Sequence, residues 1–320
     1  YAREVMTSIR HDKLYSLMPA DLARYRRLTV EGGWIVVGQV ASVIGSLVLV
    51  RVLTERLDPM QYGQLALGLT VAGLVNQVVM GGISNGIGRF YSIAAEKQDL
   101  GSYLRASRQL MHYATLAVLA IGLILASGLL LLGYSRWMEL AAVTLVFAVF
   151  SGYNSAFSVI QNAARQRANV AFHGALDAWL KILLAVGVLL WLGNSSTAVV
   201  MGYALSSLLV AGSQFIFLRR LISPRPSSNG DSRYWVERIW AYSWPFPTWG
   251  IFTWVQQSSD RWALESFATT QDVGLYAVLF QLGYTPITMV TGLAVAFLGP
   301  ILYQRSGDAT EHIRNSHVRR

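Results

Sequence analysis

Hydrophobic and polar positions follow one another along this chain in long blocks. Eight apolar runs, at roughly 30–53, 63–88, 109–133, 138–162, 169–192, 197–218, 239–259 and 273–303, are separated by short polar or charged stretches. About 20 apolar helical residues cross a bilayer core of about 30 Å, and each run reaches that length. The chain is therefore expected to be all-α, a polytopic membrane protein with about eight transmembrane helices. The stretch 51–91 shows the unit from which it is built: the outer end of one helix, a tight loop and the whole next helix. No charged residue interrupts Tyr62 to Gly88, which contains polar Asn76, Gln77, Ser84 and Asn85 and four glycines at Gly81, Gly82, Gly86 and Gly88. Small residues of this kind let a neighbouring backbone come close in a membrane. Pro245, Pro247 and Pro286 are expected to kink the seventh and eighth helices.

Composition agrees with the pattern. Of 320 residues 53% are hydrophobic and 13% charged, with mean hydropathy +0.41; soluble domains carry about 25% charged residues. The net charge of +9 is best read as loop topology rather than as a nucleic-acid surface, since no long basic run is visible. With the N-terminus placed in the cytoplasm, inner segments hold 21 Lys and Arg and outer loops hold four: Arg51, Arg56, Arg136 and Arg261. The positive-inside rule favours that orientation. Absence of Cys excludes disulfides, thiolate metal sites and Cys nucleophiles. The first apolar run is too long for the hydrophobic core of a signal peptide. The expected organisation is a cytoplasmic tail at 1–29, a six-helix lobe at 30–218, a linker at 219–238 carrying Pro224 and Pro226, two helices of a second lobe at 239–303, and a cytoplasmic tail at 304–320.

An internal repeat supports two lobes. A shift of 211 residues superposes Gly63 on Gly274, Ala66 on Ala277, Val79 on Val290, Gly81 on Gly292 and Gly88 on Gly299, and brings Arg51 within one residue of Arg261. With six helices between them, both copies point the same way, as in transporters whose repeats are related by an axis along the membrane normal.

Interior ionisable residues are the candidate chemistry. His173, Asp177 and Lys181 stand at i, i+4 and i+8 on the fifth run. Asp177 would lie about 12 Å deep and Lys181 near the midplane. Charges at such depth cost about 2.5–3.5 kcal/mol each on insertion scales, so they face a cavity or each other. The stripe either meets an anionic head group and exchanges a coupling ion through His173 or Asp177, or is a self-neutralising Asp177–Lys181 pair that fixes packing. Arg51, Arg89 and Arg261 stand at helix ends, where arginines also snorkel to the interface, and Asp260 is expected to pair with its neighbour Arg261. Asn76, Gln77, Asn154, Asn162, Gln256 and Gln257 read as hydrogen-bond partners between helices. Trp137, Trp235, Tyr134 and Tyr234 fit an interfacial aromatic belt. No metal spacing, phosphate-cradling loop or nucleophile elbow appears in a suitable context, so no enzyme, metal or cofactor is expected.

Three stretches, VLVRVLTERLDPMQYGQLALGLTV, GISNGIGRFYS and SSDRWALESFATTQDVGLYAVLFQL, resemble the Wzx-type polysaccharide-biosynthesis flippases, within the exporter superfamily that also holds MATE transporters and the lipid II flippase MurJ. The cues fall on Arg51, Tyr62–Gly63, Arg89, Asp260–Arg261 and Gly274–Tyr276. The resemblance implies alternating access in the inner membrane, driven by an ion gradient. Its cargo would be a polyprenyl-pyrophosphate-linked oligosaccharide of O-antigen or exopolysaccharide type. Arg51, Arg89, Lys181 and Arg261 would then form a cationic cavity for it, with membrane lipids, a polysaccharide polymerase and a chain-length regulator as partners and no nucleic acid. Such proteins have twelve or more helices in two lobes, so the resemblance further implies a fragment or a short form. Two rival readings remain: a carrier of other cargo, either lipid II or a small cationic drug, and a membrane polymerase or ligase. The drug carrier would need an acidic cavity, and the polymerase a large outer loop that is not seen here.

Overall fold

The computed structural model describes residues 20–134, 137–221 and 231–306. The N-terminal 19 residues, Arg136, Pro224 and Pro226 of the linker, and the tail beyond 306 lie outside the described residues. All regular structure among the described residues is helical: α1 (Ala20–Arg56), α2 (Pro59–Val75), a π-helical turn (Asn76–Met80), α3 (Gly81–Glu96), α4 (Leu100–Leu131), α5 (Met138–Ala163), α6 (Arg167–Leu192), α7 (Ser196–Leu221), α8 (Ser232–Ser243), α9 (Phe246–Phe267) and α10 (Thr270–Ser306). Inner and outer below follow the orientation expected from the basic loops.

Local chemistry fixes the ends. Two residues join α1 to α2. There Asp58 caps α2, its Oδ1 accepting from the Gln61 N–H at 2.7 Å, and Pro59 opens the first turn with its preset φ. At α10 the cap is reciprocal: Thr269 N–H donates to Asp272 Oδ2 at 3.1 Å while Asp272 N–H donates to Thr269 Oγ1 at 3.2 Å. Asp58 and Thr269 are 211 positions apart, so the repeat extends to the caps. Gly193, with φ at 92°, ends α6 in a conformation that costs other residues energy.

Seven segments are long and apolar enough to cross a membrane, with α2, the π-turn and α3 counting as one. Many of their large apolar side chains face outward, among them Leu123, Leu131, Leu183 and Trp191, as lipid-facing surfaces do. This is a polytopic membrane protein. The eighth expected span, 239–259, is corrected. The chain breaks at Trp244–Pro245 between α8 and α9, because proline lacks the N–H that would continue the ladder. Helix α9 (Phe246–Phe267) does not qualify as a span by composition: Gln256, Gln257, Ser258, Ser259, Asp260 and Arg261 interrupt it. Pro245 thus opens a helix instead of kinking one, and α10 continues through Pro286.

The glycines of α3 receive the α8–α9 elbow. A Cβ on Gly86 would overlap Ser243 Oγ, and one on Gly82 would stand 3.2 Å from Pro247 Cδ. Beside this notch lies the inner core, where Trp235 of α8 is fully buried against Tyr103 and Phe90. Its indole N–H donates to Asp99 Oδ2 at 2.7 Å. Trp235 is therefore an anchor, not a member of an interfacial belt. A second core joins α2, α5, α6, α7 and the start of α10, around Leu65, Ala148, Ala185, Val199, Tyr203 and Val273.

Candidate functional site

Helices α1, α2, α6, α9 and α10 line a half-open chamber of about 680 Å³. Its lining follows the repeat. Ser46 and Gln257, Val50 and Arg261, Ala66 and Ala277, Leu69 and Phe280, Thr70 and Gln281, and Gly73 and Tyr284 are all pairs 211 positions apart, and all twelve residues face it. Equivalent positions on the two helical pairs therefore look into one space. Helix α6 adds Gly174, Asp177, Ala178 and Lys181.

Of the four expected cations, the chamber gathers two. Lys181 lines it with its ammonium 2.6 Å from Asp177 Oδ2 and 5.5 Å from the centre of the Phe147 ring. Both members of the pair are about three-quarters buried (side chains 22% and 25% exposed). Arg261 enters from α9 with its guanidinium 4.9 Å from the centre of the Phe280 ring. Its buried Nε meets no protein acceptor. The expected Asp260–Arg261 ion pair is absent among the described residues. Asp260 instead accepts from the Arg261 backbone N–H at 2.8 Å and from the Tyr276 hydroxyl, which turns the carboxylate away and leaves the guanidinium to the chamber.

Arg51 and Arg89 are not part of this lining. Arg51 has its side chain 77% exposed and paired with Glu55 at 2.7 Å, and Arg89 is exposed on α3. A helix turns about 100° per residue, so the one-residue offset between Arg51 and Arg261 is decisive. The repeat partner of Arg261 is Val50, which faces the chamber; that of Arg51 is Trp262, which does not. Helix α1 also continues past Arg51 to Arg56, and α3 past Arg89 to Glu96, so neither arginine closes its helix as expected.

His173 parts from the stripe for the same reason. Four residues overshoot one turn by about 40°, so His173 and Lys181 are about 80° apart around α6. His173 is fully buried between Phe172 and Phe217, away from the chamber. Its Nδ1 lies 2.7 Å from the Asn169 carbonyl oxygen, to which it donates, and its Nε2 lies 3.2 Å from Ser213 Oγ.

Five of the six amides bond between elements, among them Asn162, whose Oδ1 on α5 accepts from Arg167 Nη1 of α6 at 2.6 Å. Asn76 Nδ2 donates to Ser151 Oγ at 2.8 Å, Asn154 Nδ2 to the Ser207 carbonyl at 3.0 Å, and Gln77 Nε2 to Gln257 Oε1 at 3.3 Å. Gln77 and Gln257 both line the chamber, as do Tyr62, Tyr203, Trp254, Gln281 and Tyr284. Sequence reasoning singled out Tyr62 as part of the Tyr62–Gly63 cue but not the last four, although Thr70 and Gly73, the repeat partners of Gln281 and Tyr284, point to those two. The chamber can therefore offer two cations, amide hydrogen bonds and aromatic faces to one guest.

No curated protein and no solved structure matches this chain. One family model, described as "Polysaccharide biosynthesis protein", matches residues 28–304. This range takes in every helix that lines the chamber and nearly the whole described fold. The chain belongs to the polysaccharide biosynthesis protein family.

Proposed function

We propose that the chain carries a polyprenyl-pyrophosphate-linked oligosaccharide from the cytoplasmic to the outer leaflet of the inner membrane. In this reading it transports and does not catalyse. The observation that carries the proposal is the meeting of Arg261 and Lys181, from different helical groups, at one chamber. A guanidinium offers two parallel N–H donors to phosphate oxygens and an ammonium adds a point charge. Gln77, Gln257 and Gln281 supply hydrogen bonds for sugar hydroxyls, and Phe280, Trp254 and Tyr284 supply flat apolar faces. The prenyl tail stays in the bilayer. The mechanism in this reading is alternating access, which the repeat relation of α1–α2 to α9–α10 supports: rocking one pair against the other would expose the chamber to each side in turn.

Asp177 has a definite part in this reading. It neutralises Lys181 while the chamber is empty and yields it to an incoming phosphate; the freed carboxylate takes the coupling ion. A small cationic cargo fits poorly, because the one carboxylate lining the chamber among the described residues, Asp177, is already held by Lys181. A polymerase and a chain-length regulator would receive the product on the outer side, with the N-terminus in the cytoplasm.

The test is translocation of a fluorescent polyprenyl-pyrophosphate oligosaccharide by the purified full chain in proteoliposomes. Arg261→Ala and Lys181→Ala should each lower the rate about tenfold or more, the scale of one lost charge-assisted contact. Full activity of both variants would remove the proposal.

A further inference from the structure

A second hollow, of about 520 Å³, lies near the inner end of the bundle, between α4, α5 and α7. Helices α4 and α7 stand on either side of α5 and leave a furrow between them. Tyr153, Ala156 and Phe157 of α5 form its floor, and Leu104, Met111 and Phe215 form its apolar walls. Between Gly101 and Met111, α4 supplies about 15 Å of wall, half of a bilayer core of about 30 Å and thus the depth of one leaflet.

Three arginines edge the furrow: Arg105 and Arg108 on α4 and Arg219 on α7. Arg105 donates to Ser102 Oγ at 3.0 Å. Arg108 and Arg219 are exposed and make no ion pair among the described residues. Cations from two helices over an apolar slot of leaflet depth complement one chemistry, a phosphodiester attached to an acyl chain. Basic pockets between membrane helices on the cytoplasmic side take anionic lipid heads for this reason.

We propose that the furrow is a binding site for an anionic phospholipid of the inner leaflet. Arg108 and Arg219 hold the phosphate, Arg105 stands beside them, and one acyl chain lies along α5. The furrow shares no lining residue with the chamber, so the site stands whether or not the chamber carries a lipid-linked sugar.

The experiment is native mass spectrometry of the full chain in mixed micelles of phosphatidylglycerol and phosphatidylcholine. The unaltered protein should retain phosphatidylglycerol about tenfold over phosphatidylcholine. Arg108→Gln with Arg219→Gln should abolish that preference, Arg108→Lys with Arg219→Lys should keep most of it, and Arg51→Gln, elsewhere on the surface, should leave it unchanged. The proposal is overturned if the glutamine variant retains the preference, or if Arg51→Gln lowers it equally. It is also overturned if free glycerophosphoglycerol displaces the lipid at equal concentration, which would mean a head-group site without a chain slot. Undecaprenyl phosphate binding tenfold tighter than phosphatidylglycerol would likewise overturn it and assign the furrow to the carrier lipid.

Discussion

Gly63 and Gly274 pack backbone to backbone across a local two-fold axis. A Cβ on Gly63 would overlap the Thr270 carbonyl oxygen, and one on Gly274 would overlap the Pro59 carbonyl oxygen. Thr270 is the 211-residue repeat partner of Pro59, as Gly274 is of Gly63, so each member makes the same contact on the other. Such reciprocity marks a two-fold relation. It places the axis between the outer ends of α2 and α10, next to the chamber that both helices line.

That contact leaves no room for a methyl group. Gly63→Ala and Gly274→Ala should each destabilise the protein by about 1–3 kcal/mol, as overpacking does, and by similar amounts because the contacts are equivalent. Gly187, with nothing within 4 Å of an added Cβ, should accept alanine without loss. Thermal denaturation in detergent reads all three, and an equal cost at Gly187 would contradict the packing account.

The Asp177–Lys181 pair makes a coupled prediction. Removing one partner leaves a largely buried charge uncompensated, whereas removing both leaves none. Asp177→Ala and Lys181→Ala should each destabilise the fold more than the double variant does, with a coupling energy of about 1–3 kcal/mol in a double-mutant cycle. Additive effects would mean the pair is solvated despite its position.

At the inner end, Trp235 ties α8 to the α3–α4 loop through Asp99. Trp235→Phe keeps most of the packing and loses a hydrogen bond to a carboxylate, costing about 1.5–3 kcal/mol; Trp235→Ala should cost about 3–5 kcal/mol. If α8 undocks, trypsin should cut sooner after Arg233 and Arg238. Unchanged cleavage in Trp235→Ala would show that the helix is held by other contacts.

Much of this was legible in the sequence. Apolar runs gave seven of the eight spans, because lipid rewards length and apolarity without regard to detailed packing. The glycines of the stretch 81–88 read as a close contact, and Gly82 and Gly86 do receive another chain segment, though its identity, the α8–α9 elbow, could not be read. The repeat was visible too, and its shift of 211 residues already pairs Val50 with Arg261 and Arg51 with Trp262. The resemblance nevertheless implied one cavity for Arg51 and Arg261, whereas the one-residue offset gives one cation inside and one outside. Likewise i, i+4, i+8 spacing put His173 with Asp177 and Lys181, although cumulative rotation carries it out of the chamber. The π-helical turn at 76–80 left no mark, since no residue there is excluded from an ordinary α-helix.

The most direct measurement compares Arg261→Ala with Arg51→Ala in a proteoliposome assay of lipid-linked oligosaccharide translocation. An arginine facing the chamber and an arginine exposed beside Glu55 should behave differently. The account predicts a rate about tenfold or more lower for Arg261→Ala and close to unaltered for Arg51→Ala. Loss in Arg51→Ala with full activity in Arg261→Ala would contradict it.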